Sequence, residues 1–369
     1  MPADQKIRVA IVFGGQSAEH EISILSARNV LAALDRSRFE PILIGVDKAG
    51  HWLLQDSTRL LASARDPRLV RIEDGAPAQV PSPLTPAVAG PAGAGGIDVI
   101  FPVLHGTLGE DGAMQGLFEV AGIPYVGAGV LGSAIGMDKD VMKRLLRDAG
   151  MAVADFRTLR RDRFDADPQR VGAELVSLGF PMFTKPANAG SSVGIRKVKD
   201  APALIDAIRY AFEFDTKVIV EAAVTGREIE LAVLGGNPAT VSVAGEIIVE
   251  HPDGFYSYDA KYIDKKGARL ELPAKLSADE LARAQAMALQ AFEVLECEGL
   301  ARVDLFLKPD GGLLVNEINT IPGFTAISMY PKLWGLSGVK PTELVSRLID
   351  LALERDRRRG AIRRSIAAE

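Results

Sequence analysis

The chain of 369 residues holds a single cysteine, Cys297. One thiol excludes any intrachain disulfide. It lies in a helix-to-strand stretch without a thiol-site motif, so it reads as a small structural hydrophobe. No apolar run reaches the roughly 18 residues that a membrane-spanning helix needs. The opening stretch MPADQKIRVAIVFGG has no signal-peptide layout, because its short apolar run opens directly into a glycine turn. Positive charge is not in excess: Lys and Arg number 43 against 48 Asp and Glu, a formal net charge of -5. The one basic block, RDRRRG at 355–360, falls on a terminal helix and reads as a solvated face. Neither nucleic acid nor a membrane is therefore an expected partner, and the cytoplasm, with its reduced thiols, is the expected location. No internal repeat is visible.

What is present is ordinary for a globular protein with a full core: 47% hydrophobic and 25% charged residues. The length predicts two or three domains. Strand and helix patterns alternate along most of the chain, which predicts α/β layers. IRVAIVFGG reads as a buried parallel strand running into a glycine turn, followed by an amphipathic helix in EHEISILSARNVLAALD. FEPILIGV and IDVIFPVLHG are further strands, and the Pro, Ala and Gly-rich residues 75–96 between them read as a surface excursion. Three units are expected: 1–125, 126–225 and 226–369. In the second, DKDVMKRLLRDAG is a helix with Asp138 as its N-cap and Gly150 as its stop, and another helix spans 201–213.

Three constellations carry chemistry. Side chains alternate along a strand, so in ARVDLFL the residues Val303, Leu305 and Leu307 share an apolar face while Arg302, Asp304 and Phe306 share the other. In LLVNEINT, Glu317 and Asn319 also share one face. A hairpin across KPDGG brings Asp304, Glu317 and Asn319 together as a hard, all-oxygen donor set suited to Mg²⁺ or Mn²⁺ held with phosphates. The second stretch, KPANAGSSVGI at 185–195, sets Gly190, Ser191, Ser192 and Gly194 behind Lys185. Its glycines permit close backbone approach to an anion, and its N–H groups and hydroxyls can surround one. It is not a Walker A loop, because its lysine precedes the glycines. Taken alone, it also fits a plain turn, and the polar strand face also fits simple exposure to water. In VIVEAAVTGREIEL, a strand end at Glu221–Val224 could offer adenine a carbonyl and an N–H, and Glu228 could bond ribose hydroxyls.

GGQSAEHEIS, LHGTLGEDG, MDKDVMK, KPANAGSSVGI, YDAKY, ARVDLFL, NEINTIPGF and SMYP follow one another in an order that resembles the ATP-grasp superfamily, and within it the D-alanine–D-alanine ligase family. The likeness spans nearly the whole chain. It implies a three-domain ATP-grasp fold, α/β with α+β character in the ATP-grasp part, opening on a Rossmann-like parallel sheet. It also implies ATP-dependent joining of two D-alanines for peptidoglycan synthesis, two Mg²⁺ (or Mn²⁺) ions, and a homodimer.

By the same resemblance, Lys139 and Lys185 contact ATP phosphates, with Ser191 and Ser192 of the loop. Glu221, Ala222, Ala223 and Val224 form the adenine edge, Glu228 binds ribose, Phe306 packs on the purine, and Asn316 also lies at the nucleotide. Asp304, Glu317 and Asn319 hold the metals, with Glu317 bridging. Glu19 pairs with the first D-alanine ammonium and His105 lies near the same substrate. Arg302 and the Gly323 N–H stabilise an oxyanion, and Ser328 and Met329 receive the second D-alanine carboxylate. Residues 250–267 correspond to a mobile lid, in which Lys261 reaches the γ-phosphate and Tyr262 bonds Ser191, which in turn bonds Glu19. The tyrosine favours a dipeptide over a D-alanyl-D-lactate product. VEAAV lacks the lysine often found after the adenine-edge glutamate, and Thr184 stands where an aliphatic residue is common. Two other readings stay open: an ATP-grasp ligase with a different acceptor, such as D-lactate, and a nucleotide-binding regulator without turnover.

Overall fold

A computed structural model describes residues 6–62, 70–73, 75–77, 96–250 and 268–363. The first unit comprises β1 (Ile7–Gly14), α1 (His20–Ala33), β2 (Phe39–Val46), β3 (Trp52–Gln55), α2 (Ser57–Ala62) and β4 (Val99–Pro102). The sheet order is β3-β2-β1-β4, with β1 parallel to both β2 and β4. Central β1 is apolar on both faces because both are covered. Val9, Ile11 and Phe13 pack with α1 on one side, while Ala10 and Val12 join Ile100, Leu104 and Phe118 on the other. Gly14 and Gly15 end the strand at φ +93° and +94°, and a Cβ on Gly14 would lie 2.2 Å from the Val46 carbonyl oxygen. Only glycine fits this turn, which delivers Glu19 to the head of α1. Leu53 bridges to Pro77, so the described start of the 75–96 stretch lies against the edge strand.

Helices α3 (Ala113–Ala121), α4 (Val130–Met137) and α5 (Lys139–Asp148) lead to the second sheet. There follow β5 (Phe156–Arg160), α6 (Arg161–Ala166), α7 (Pro168–Leu175), β6 (Met182–Pro186), β7 (Arg196–Val198), α8 (Leu204–Ala211) and β8 (Lys217–Ala222). All pairings in its order β5-β8-β6-β7 are antiparallel. Asp138 caps α5 as expected, accepting from the N–H groups of Asp140 and Val141, and Gly150 follows at φ +76°. The helix expected over 201–213 is shorter. Asp200 caps a turn at Ala203, and helical pairing starts only at Leu204.

The third sheet contains β9 (Arg227–Leu234), β10 (Thr240–Val249), β11 (Ala268–Glu271), β12 (Leu300–Leu307) and β13 (Leu313–Asn319), in the antiparallel order β11-β10-β9-β12-β13. Helices α9 (Ala278–Val294), α10 (Met329–Leu336) and α11 (Pro341–Gly360) complete the unit. Ser277 and Glu280 form a capping box at the start of α9. One face of the sheet buries Ile229, Leu231, Val303, Leu305, Val315 and Ile318. Val315 and Ile318 are three residues apart, which strict alternation cannot place on one face. A bulge opposite Asp304 and Leu305 absorbs Asn316 and returns Glu317 to the polar side. No helix among the described residues is long and apolar enough to cross a membrane.

The basic block departs from its expected role. Arg355 is only 5% exposed. Its guanidinium donates to the carbonyls of Tyr125 and Gly127, pairs with Glu298, and lies 4.3 Å from the Tyr125 ring centre. Arg359 pairs with Glu119 and Glu298. A repeat of 3.6 residues puts 355 and 359 on one helix face, so two arginines tie α11 to the end of the first unit and only Arg357 and Arg358 face water. Replacing Arg355 by Met is expected to cost about 2–4 kcal/mol of stability, since two buried carbonyls lose their donor. Arg358→Met should stay within about 0.5 kcal/mol. Urea unfolding of the two variants measures the difference.

Candidate active site

A cleft of about 120 Å³ lies where the three units meet. Its lining includes Glu19, His105, Ser191, Arg302, Glu317, Asn319, Gly323, Ser328 and Met329, nine of the residues singled out from sequence. Glu19 arrives from the turn after β1. Ser191 arrives from the glycine-serine loop between β6 and β7, and its hydroxyl donates to Glu19. Ser191 and Ser192 hold φ of +48° and +61°, a region that serine seldom occupies, so surrounding contacts impose the loop's shape. A Cβ at Gly190 would stand 2.7 Å from a Glu19 carboxylate oxygen, so glycine there leaves room for the Glu19 side chain. Lys139, the first residue of α5, donates to the Ala189 carbonyl at 2.8 Å and lies 3.6 Å from Glu317.

The hairpin of β12 and β13 performs as its alternation predicts. Asp304 faces Glu317 and Arg302 faces Asn319 across the ladder. Arg302 donates to both oxygens of Asp304, at 2.7 and 2.6 Å, and its Nε lies 3.0 Å from Glu230 on the neighbouring strand β9. Asn319 Nδ2 donates to Asp304 at 3.1 Å. Burial works against the Arg302 charge, but Asp304 and Glu230 outweigh it and raise its pKa further. Glu230 escaped the sequence reading. The signal was there, because Glu228 and Glu230 are two apart on β9 and both belong to the polar face.

Phe306 and Glu228 are cross-strand neighbours, which places the expected purine and ribose contacts side by side. The adenine edge narrows. Ala222 N–H donates to Asp155 O and Ala223 N–H to Pro181 O, so both donors are committed within the protein. The Glu221 side chain is buried, with Lys185 donating to one oxygen at 2.9 Å and Lys143 lying 2.9 Å from the other. Burial favours a neutral Glu221, yet the two lysines outweigh it and hold the carboxyl below its ordinary pKa. Lys143 was not singled out, although it stands four residues after Lys139 and therefore on the same helix face.

His105 is buried between Ile321 O, 3.0 Å from Nδ1, and Ser26 Oγ, 3.0 Å from Nε2. A carbonyl only accepts, so Nδ1 carries a proton. Burial lowers the ring's pKa and keeps it neutral, so Nε2 accepts from the Ser26 hydroxyl. Ser26 also accepts from Phe324 N–H, and Asn29 donates to Phe324 O. Helix α1 and His105 together fix the loop that carries Gly323. Thr325 N–H donates to Ser328 Oγ, which folds that loop back onto the start of α10. Lys261, Tyr262 and all but the first residue of the expected lid lie outside the described residues.

Glu110 is a further group that was quoted within a motif but given no role. It accepts from Gly106 N–H at 2.8 Å and from Ile321 N–H at 3.3 Å, linking the first unit to the loop after β13. Burial, with the Glu19 charge beside it, pushes its pKa up to about 8.

Comparison with known proteins follows this geometry. The family described as D-ala D-ala ligase N-terminus matches residues 8–128, and D-ala D-ala ligase C-terminus matches residues 145–350. The chain is 51% identical to D-alanine--D-alanine ligase A of Chromobacterium violaceum, covering 98% of this chain and 99% of that one. It is 50% identical to D-alanine--D-alanine ligase A of Escherichia coli, covering 95% and 97%. Among solved structures, the D-alanine-D-alanine ligase from Coxiella burnetii superposes with a TM-score of 0.81 at 36% identity, covering 96% and 97%. VanG D-Ala:D-Ser ligase from Enterococcus faecalis superposes equally well, with a TM-score of 0.81 at 36% identity, covering 94% and 100%.

The raised Glu110 pKa has a consequence for stability. The folded protein binds this proton more tightly than the unfolded chain, whose carboxyl titrates near 4.5. The associated stability is complete below pH 4.5 and is lost as pH rises through about 8. Glu110→Gln is expected to reduce the fall in stability between pH 5 and pH 8 by roughly 1–3 kcal/mol, as urea midpoints at the two pH values will show.

Proposed function

The chain belongs to the D-alanine–D-alanine ligase family, and from that premise we propose how its cleft joins two D-alanines at the expense of ATP. The observation that carries the reading is the meeting, in one cleft, of Glu19 and Ser191 with Arg302, Glu317, Asn319, Gly323 and Ser328, brought from the turn after β1, the loop between β6 and β7, strands β12 and β13, and the loop that follows β13. The chain is an ADP-forming ligase with an ATP-grasp fold.

ATP lies between the second and third sheets. Phe306 packs on the purine, Glu228 bonds the ribose, and Val224 supplies the N–H for adenine, since Ala222 and Ala223 are committed. Lys139, Lys185 and the Gly190–Gly194 loop receive the phosphates. Asp304, Glu317 and Asn319 fit a divalent cation by chemistry: two carboxylates and an amide oxygen on adjacent strands, their charge now balanced by Arg302 and Lys139. Mg²⁺ bound there would offset charge on the phosphate oxygens.

Glu19 pairs with the ammonium of the first D-alanine, whose own carboxylate takes the γ-phosphoryl group from ATP, releasing ADP and leaving an acyl phosphate. The amine of the second D-alanine, its own carboxylate held at Ser328 and Met329, then attacks the activated carbonyl, loses a proton and expels inorganic phosphate. Arg302 and the Gly323 N–H face the oxyanion that forms, and one such donor is typically worth about 3–4 kcal/mol of barrier. Glu230 lies 3.0 Å from the same Arg302 Nε that donates to Asp304, and its charge helps keep Arg302 in place. His105 and Glu110 position the loop and do not react. Lys261 and Tyr262 would complete the enclosure, which an acyl phosphate needs because water destroys it.

Phosphate release should depend on D-alanine, and D-alanyl-D-alanine should be the main product when D-alanine, D-serine and D-lactate compete at neutral pH. A D-lactate ester or D-Ala-D-Ser as the main product would replace this reading. Glu317→Gln should lower kcat by roughly 10²-fold or more, by removing charge at the phosphates, while Tm stays within a few degrees. Wild-type turnover in that variant would contradict the metal assignment.

A further inference from the structure

Lys143 is 1% exposed and Glu221 2% exposed, so both ionisable groups lie out of water. Burial lowers the Lys143 pKa, and the Glu221 carboxylate opposes that shift. Glu221 is the one carboxylate within ion-pair distance of Lys143 among the described residues. Its two oxygens each hold a lysine: Oε1 accepts from Lys185 at 2.9 Å, and Oε2 lies 2.9 Å from Lys143. The Lys143 contact is close but poorly directed, so both atoms retain unused hydrogen-bonding capacity. Two lysine amino groups thus share one carboxylate in a region largely closed to water.

The second lysine is not needed to satisfy the carboxylate. A single lysine would neutralise Glu221, and a second one adds repulsion and its own cost of burial. It does change what Lys185 can do. With only Lys185 present, Glu221 would form a self-sufficient buried pair. Drawing Lys185 away toward a phosphate would then strand a buried carboxylate, the costly way to break such a pair. With Lys143 fixed on α5 behind Glu221, Lys185 can leave while the carboxylate keeps a partner. We propose that Lys143 is a positioning residue that holds Glu221 as a permanent counter-ion and so releases Lys185 to grip the nucleotide phosphates. This rests on the assignment of Lys185 to phosphate made above. Helix geometry supports the pairing of roles: Lys139 and Lys143 are one turn apart on α5, the first directed at Glu317 and the second at Glu221.

The test is calorimetric titration of the full-length protein with adenosine, AMP and ADP, in the wild type, K143M, K143R, K185M, E221Q and K143M/E221Q. In K143M, ADP affinity should fall by about 10-fold or more, while adenosine affinity changes by less than about threefold. K143R, which keeps the charge, should restore ADP affinity to within about threefold. In E221Q no carboxylate remains to be stranded, so K143M/E221Q should bind ADP within about threefold of E221Q alone. That comparison also holds if K143M itself fails to fold. Equal losses for adenosine and ADP in K143M, or a tenfold deficit of the double variant against E221Q, would overturn the proposal. If K185M binds ADP like the wild type, the phosphate assignment of Lys185 fails instead, and the two failures are distinguished.

Discussion

A charge taken out of water must find an opposite charge or a set of donors, and the whole cleft is organised by that requirement. Lys139 lies against Glu317, Arg302 sits between Asp304 and Glu230, and Glu221 is held by Lys143 and Lys185. In each cluster one member is the group proposed to meet phosphate, cation or oxyanion. Its present partner balances it until that substrate charge arrives. Binding then becomes an exchange of partners, which costs less than bringing a bare ammonium or carboxylate into the interior.

Such a cleft works only if three separately built sheets stay in register. Few contacts do most of this. Ser191 donates to Glu19, Glu110 accepts from Gly106 and Ile321, and His105 spans Ser26 and Ile321. Glu19, Ser191, His105, Glu110 and Ile321 all line the cleft. On α11, Arg355 and Arg359 fasten the chain where the first unit ends, at Tyr125 and Gly127. The first unit is therefore held both at its substrate edge and at its connection to the rest of the chain.

Much of this was legible from residue order. Alternation in ARVDLFL and in REIELAVL separates core from polar face, and both strands obey it. Asp138 caps its helix, and the order of the motifs identifies the family. Glu317 and Asn319 share the polar face as expected, but the bulge at Asn316 that turns Ile318 to the core is announced by no property of those side chains. The misreadings have physical causes. The arginine block at 355–360 resembles a solvated face because composition cannot show which carbonyls a helix meets. Glu110 and Lys143 lay inside quoted motifs, but their importance comes from burial, which depends on what packs over them.

The sequence by itself determined the strand and helix periods, the glycines that permit tight approach, the oxygen-bearing side chains that share a strand face and the glycine-serine loop. These are properties of local spacing and side-chain chemistry. The tertiary structure decided which charges share a low-dielectric space: that Glu230 would steady Arg302, that Glu221 would hold two lysines, and that Glu110 would keep its proton near neutrality. Electrostatic energy depends on distance and on exclusion of water, and both arise only when residues far apart in the chain are packed together.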